Sequence, residues 1–109
     1  MSERIKATRS SGNVFADLGR PQPEEALAKA RLAYEIERSI RKRGLKQAEA
    51  AKVLGIDQPK VSALRNGRLS GFSVERLIRF LNALDRDVEI VVSAKPRSRR
   101  RGRLLVRAA

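Results

Sequence analysis

Residues 45–67, LKQAEAAKVLGIDQPKVSALRNG, restrict the fold more than any other part of the chain. Ala50, Val53 and Leu54 recur at helical spacing, Gly55 interrupts them, and Ile56, Val61 and Leu64 take the pattern up again. The stretch therefore predicts two short helices that bury one face against each other across a tight turn, a helix-turn-helix.

The residue type at each place has a physical reason. Ala51 is small where the two helices approach, and Gly55 supplies the backbone freedom of the turn. Asp57 can cap the second helix, and Pro59 fits its first turn, where a backbone N–H has no intrahelical acceptor. With Val61 and Leu64 turned inward, helical geometry leaves Pro59, Ser62, Ala63 and Asn66 pointing outward and Gln58 projecting from the N-terminal end. Small, neutral polar groups suit a surface that enters a major groove.

Charge supports the same partner. The 109 residues carry a net charge of +13. Residues 95–109 contain seven basic residues and no acid, an excess that points to a polyanion and first of all to nucleic acid. Three Phe, one Tyr and no Trp imply an aliphatic core, sized for one small domain that gains from a second copy or a partner. The chain has neither Cys nor His, which removes disulfides, thiol nucleophiles and imidazole bases. The acids are scattered among basic residues and Ser62 has no His to activate it, so no enzyme, metal or cofactor is expected. There is no run of about 18 apolar residues and no secretory leader, so a reducing, bacterial-type cytosol is the expected compartment.

In chain order, residues 1–22 read as a flexible segment. Within it Val14, Phe15 and Leu18 form a small apolar cluster, suited either to pack on the domain's own first helix or to order on a partner protein. Pro23, Glu24 and Glu25 start a long helix that runs to about Arg43 and stops at Gly44. One of its faces holds Leu32, Ala33, Ile36 and Ile40; Leu27, Ala30 and Tyr34 form another about 120° away, unless the two merge into one broad core-facing surface. After a loop from Arg68 to Phe72, Ser73 caps a helix bearing Val74, Leu77, Ile78, Leu81 and Leu84, with Phe80 on its flank. Arg68, Arg76 and Arg79 are placed to lie near phosphates, with solvated surface charge the alternative for Arg76 and Arg79.

Residues 87–93, DVEIVVS, switch to β-branched alternation, with Val88, Ile90 and Val92 on one face. A lone strand needs a neighbour. The candidates are the same strand of a second subunit, a strand of another protein, or the run Arg103–Arg107. The first is preferred, because helix-turn-helix proteins commonly read two half-sites as dimers. The tail from 95 to 109 is either a solvated extension or an arm for phosphates or a minor groove, and its Leu104–Val106 patch has no assigned role.

With Gln47, Ala51, Gly55, Gln58, Val61, Leu64, Asn66 and Gly67 in place, the stretch resembles the lambda-repressor-like (XRE) helix-turn-helix family. The flanks GNVFADLG and LSGFSVERLIRFLNALDRDVEIVV extend the likeness over residues 12–93 to HigA-type antitoxins of bacterial toxin–antitoxin modules. Lys46 departs from the pattern, since relatives usually place a Ser or Thr cap there. The resemblance implies a mainly all-α domain of about four helices over residues 23–94, closed by one β-strand at 87–93 that pairs in a homodimer. It also implies a double-stranded DNA operator and a HigB/RelE-like toxin as partners. By family position Gln47 and Asn66 touch phosphates, Gln58 reads adenine and Ala63 meets a thymine methyl, with Pro59, Lys60, Ser62 and Arg68 completing the DNA surface. The toxin surface is expected at Val14, Phe15, Leu18, Leu27 and Tyr34. A stand-alone regulator of the same family is the alternative.

Overall fold

The computed structural model describes residues 23–109, so the cluster Val14, Phe15 and Leu18 and the boundary at residue 22 lie outside the described residues. Four helices follow one another: α1 (Pro23–Lys42), α2 (Gln47–Leu54), α3 (Gln58–Arg65) and α4 (Val74–Ala83). The long α1 has Glu24 and Glu25 in its first turn and Arg41 and Lys42 in its last, the polarity that its macrodipole favours.

Helix ends are settled by local hydrogen bonds. Asp57 and Ser73 accept the Lys60 and Arg76 backbone N–H groups at 3.0 and 3.1 Å, as their sequence positions predict. The Lys46 side chain makes no cap hydrogen bond; instead Glu49 reaches back to accept the Lys46 backbone N–H at 2.7 Å, so half of a capping box compensates for the unusual residue. At the other end of α2, Gly55 sits at φ 72° and the Ile56 N–H closes on the Ala51 carbonyl at 3.1 Å. The same closure ends α4, where Asp85 takes φ 64° without being glycine and the Arg86 N–H reaches the Leu81 carbonyl at 2.9 Å.

The core is a single cluster. Leu32, Ala33, Ile36 and Ile40 of α1 meet Ala50, Ala51 and Leu54 of α2, Val61 and Leu64 of α3, and Leu77, Phe80 and Leu81 of α4. Phe80 is fully part of it rather than on a flank, and loop residue Phe72 joins it edge-on with ring centroids 5.8 Å apart.

Two sequence expectations need correction. Residues 87–93 form no β-strand: among the described residues they join no β-ladder and exchange no backbone hydrogen bond with 103–107. The tail is also not merely a solvated extension: it turns at Pro96, where the Arg99 N–H meets the Pro96 carbonyl at 3.2 Å, and returns to lay half-buried Val106 against the core. On α1 the two apolar faces are distinct, because the described residues leave Leu27 73% and Tyr34 57% exposed.

Candidate nucleic-acid interface

The N-terminal end of α3 forms an exposed, polar projection. Gln58, Pro59 and Lys60 stand free of the core, and Asn66 and Arg68 are exposed at the other end of the helix. Gln47, first residue of α2, is half-buried because its side-chain amide donates to the backbone carbonyl of Gln58 at 3.4 Å, a long contact that spans the two helices. The Asn66 amide donates to the Ser62 carbonyl at 2.9 Å and lies 3.3 Å from the Ser62 hydroxyl. Ser62 and Ala63 are themselves half-buried, and Ala63 packs against the core cluster, so it is less outward than helical arithmetic alone implied.

Of the other basic residues, Arg76 is half-buried, with its guanidinium 5.5 and 5.6 Å from the Phe72 and Phe80 ring centres. It lines an open groove between α2 and α3 together with Lys52, Gln58 and Lys60. Arg79 pairs with Glu75 at 2.9 Å on the surface. Among the described residues no cluster of acids gathers that could hold a metal ion, and no helix is long and apolar enough to cross a membrane.

What holds α3 in place was not legible in the motif. Glu37 on α1 receives Arg65 at the end of α3 through two hydrogen bonds, Nε to Oε1 at 2.7 Å and Nη2 to Oε2 at 3.1 Å. Arg41 adds a third at 2.7 Å. A bidentate guanidinium–carboxylate pair fixes orientation as well as distance, so it adds to the packing of Val61 and Leu64 in seating α3 on α1. Burial pushes the Glu37 carboxyl up, but the hydrogen bonds and charges of Arg65 and Arg41 outweigh it and hold the group below its ordinary 4.5. Arg65 is held above its ordinary value by its hydrogen bond to Glu37, against partial burial.

A carboxyl depressed in the folded state contributes stability at pH values above its unfolded value and loses it as pH falls through the folded one. The difference in urea midpoint between the parent chain and Glu37→Gln is therefore expected to be widest at neutral pH, with a loss of about 1.5–3 kcal/mol. It should shrink only below pH 4.5. A difference that stays constant through the acid range would mean that Glu37 is not held as a carboxylate.

Two short helices crossed over a left-handed glycine, with the second projecting a polar N-terminal end, define a helix-turn-helix domain, and the helix-turn-helix domain family matches residues 14–93. A solved structure named "Putative XRE Family Transcriptional Regulator" is 60% identical, covers 82% of this chain and 100% of its own, and superposes with a TM-score of 0.76. The chain belongs to the XRE family of helix-turn-helix domain proteins. None of the curated proteins compared with it matches.

Proposed function

We propose that the chain is a sequence-specific DNA-binding transcriptional regulator that reads a duplex operator as a homodimer. The observation that carries this reading is the N-terminal end of α3: Gln58, Pro59 and Lys60 are exposed on a helix capped by Asp57 and tied to α2 through Gln47 and to α1 through the Glu37–Arg65 pair. A rigid polar projection of this kind suits base readout in the major groove, with Gln58 placed for adenine and Lys60 and Arg68 for phosphates. Gln47 and Asn66 extend the phosphate contacts, Ser62 lies alongside, and half-buried Ala63 offers only part of its methyl to a thymine. The name of the 60% identical structure agrees with this reading.

Gln58→Ala is expected to lose roughly 1–3 kcal/mol at one base pair per half-site and to relax preference there, whereas Lys60→Ala weakens all sequences alike. A base-substitution scan that gives the same preference for the parent chain and Gln58→Ala would remove Gln58 from the reading.

A second reading adds toxin neutralisation, as in the HigA-type antitoxins that the sequence resembles, and one specific observation favours it. Leu27 and Tyr34 stand 73% and 57% exposed on a face of α1 that neither the core nor α3 uses. In this division of labour residues 1–22 supply Val14, Phe15 and Leu18 to a HigB/RelE-like toxin, residues 23–94 bind DNA, and the basic tail from 95 to 109 adds phosphate contacts. Leu27→Ala with Tyr34→Ala should keep operator binding and abolish co-purification with a co-encoded toxin. Retained co-purification would remove this face from the contact, and the stand-alone regulator stands if no neighbouring toxin binds at all.

A further inference from the structure

The C-terminal region offers two legs outside any helix, 87–93 and 103–107, on either side of the turn at Pro96–Arg99. Their sequences fit each other in one antiparallel register. With Glu89 opposite Arg107, Val91 falls opposite Leu105 and Ser93 opposite Arg103 on one face, while Ile90 meets Val106 and Val92 meets Leu104 on the other. One pair joins opposite charges, Glu89 and Arg107, and three set apolar against apolar, an arrangement that stabilises cross-strand pairs. The fold agrees with this alternation, because Val88 and Val106, which would share a face, are the two residues of the legs that pack on the core.

Within the described chain, however, the legs exchange no backbone hydrogen bond. Their side chains are left open on both faces: Ile90, Val91 and Val92 are 75%, 76% and 92% exposed, and Leu104 and Leu105 are 48% and 59% exposed. Apolar, exposed segments whose backbone groups are unpaired are templates for another chain. We infer that the legs form the interface with a second copy of this chain, each copy's 87–93 pairing antiparallel with its partner's 103–107 in the Glu89–Arg107 register. This rests on the homodimer reading and names its surface.

A second copy is the fitting occupant because each leg's complement is encoded in the same chain. Two-fold symmetry then forms both pairings at once, so four legs assemble where two alone would be marginal. Pairing of 87–93 with itself about Ile90 sets Glu89 against Val91 and leaves Leu104 and Leu105 uncovered. The proposed register sets Glu89 of one copy against Arg107 of the other, twice in the dimer, and covers Leu104 and Leu105 as well as Ile90, Val91 and Val92.

The chain has no cysteine, so introduced thiols report without background. Val91→Cys with Leu105→Cys in the full-length chain, checked for native helical content by circular dichroism, is expected to give a covalent dimer on mild oxidation, while either single variant stays unlinked. A cross-linked monomer of altered mobility would place the pairing within one chain and overturn the proposal. Dimers from Val91→Cys alone would assign self-pairing and overturn it too. Absence of any cross-link, with sedimentation still showing a dimer, would reject the legs and keep the homodimer; a monomer in sedimentation would reject the homodimer itself.

Discussion

Leu77→Ala is expected to lower the free energy of unfolding by about 2–5 kcal/mol. Leu77 is fully buried on α4, and α4 makes its main packing against α1, the helix that also receives Arg65 from α3. Removing the Cγ methine and its two methyls there leaves a cavity in a small aliphatic core, where neighbouring helices relax only in part. Domains of this size have roughly 5–15 kcal/mol in all, so the change consumes a large share of the total. The check is urea unfolding followed by far-ultraviolet circular dichroism, with Arg79→Ala as a surface comparison expected within about 0.5 kcal/mol of the parent. A shift for Leu77→Ala no larger than that of the comparison would mean that the core collapses around the deletion.

Arg86→Ala should be nearly as damaging, for an electrostatic reason. Glu35 on α1 is 4% exposed, and Arg86 donates to its Oε1 at 3.0 Å and to the Ser39 hydroxyl at 2.7 Å. Ser39 in turn donates to the Glu35 carbonyl at 3.0 Å, and the second carboxylate oxygen of Glu35 is buried with no hydrogen-bond partner. Taking away the guanidinium leaves a buried charge with only Arg38, 3.5 Å away and largely exposed, beside it. Breaking a fully buried pair from one side costs about 3–5 kcal/mol; with the Arg86 side chain 39% exposed and Arg38 surviving, this case is expected at the lower end or below it. Glu35→Gln in the Arg86→Ala background should recover part of that loss, because the orphaned charge is then gone. If the double variant is no more stable than Arg86→Ala alone, the two groups are not coupled.

Much of this architecture can be read from the chain, and the limits are instructive. Helical spacing placed all four helices, and the short-range chemistry of Gly55, Asp57 and Ser73 placed their ends. Those signals act over three to five residues, a distance at which sequence and geometry are almost the same thing. The ion pairs Glu37–Arg65 and Glu35–Arg86 join residues 28 and 51 positions apart, and nothing in local pattern marks which of 25 basic residues meets which acid. Phe72 escaped for a related reason, since a loop aromatic turns inward only where neighbouring helices leave room. At the interface, Gln58, Pro59 and Lys60 project from α3 as the motif implies, whereas Ala63 is turned partly inward because a short helix packed on two others buries more than one stripe.

The placement of Glu35 and Glu37 on α1 has a thermodynamic corollary. Two residues apart on a helix, they lie on opposite flanks of the exposed stripe that carries Leu27 and Tyr34, one tied to Arg86 at the root of the C-terminal legs and the other to Arg65 at the end of α3. A molecule seated on that stripe borders both ties. If its binding strengthens or loosens either one, the affinity at the far end changes by some factor, and reciprocity requires DNA or the second copy to alter the affinity for that molecule by the same factor. The stripe, the recognition helix and the legs are then three ports on one beam, and titrating any one in the presence of another measures the coupling from either side.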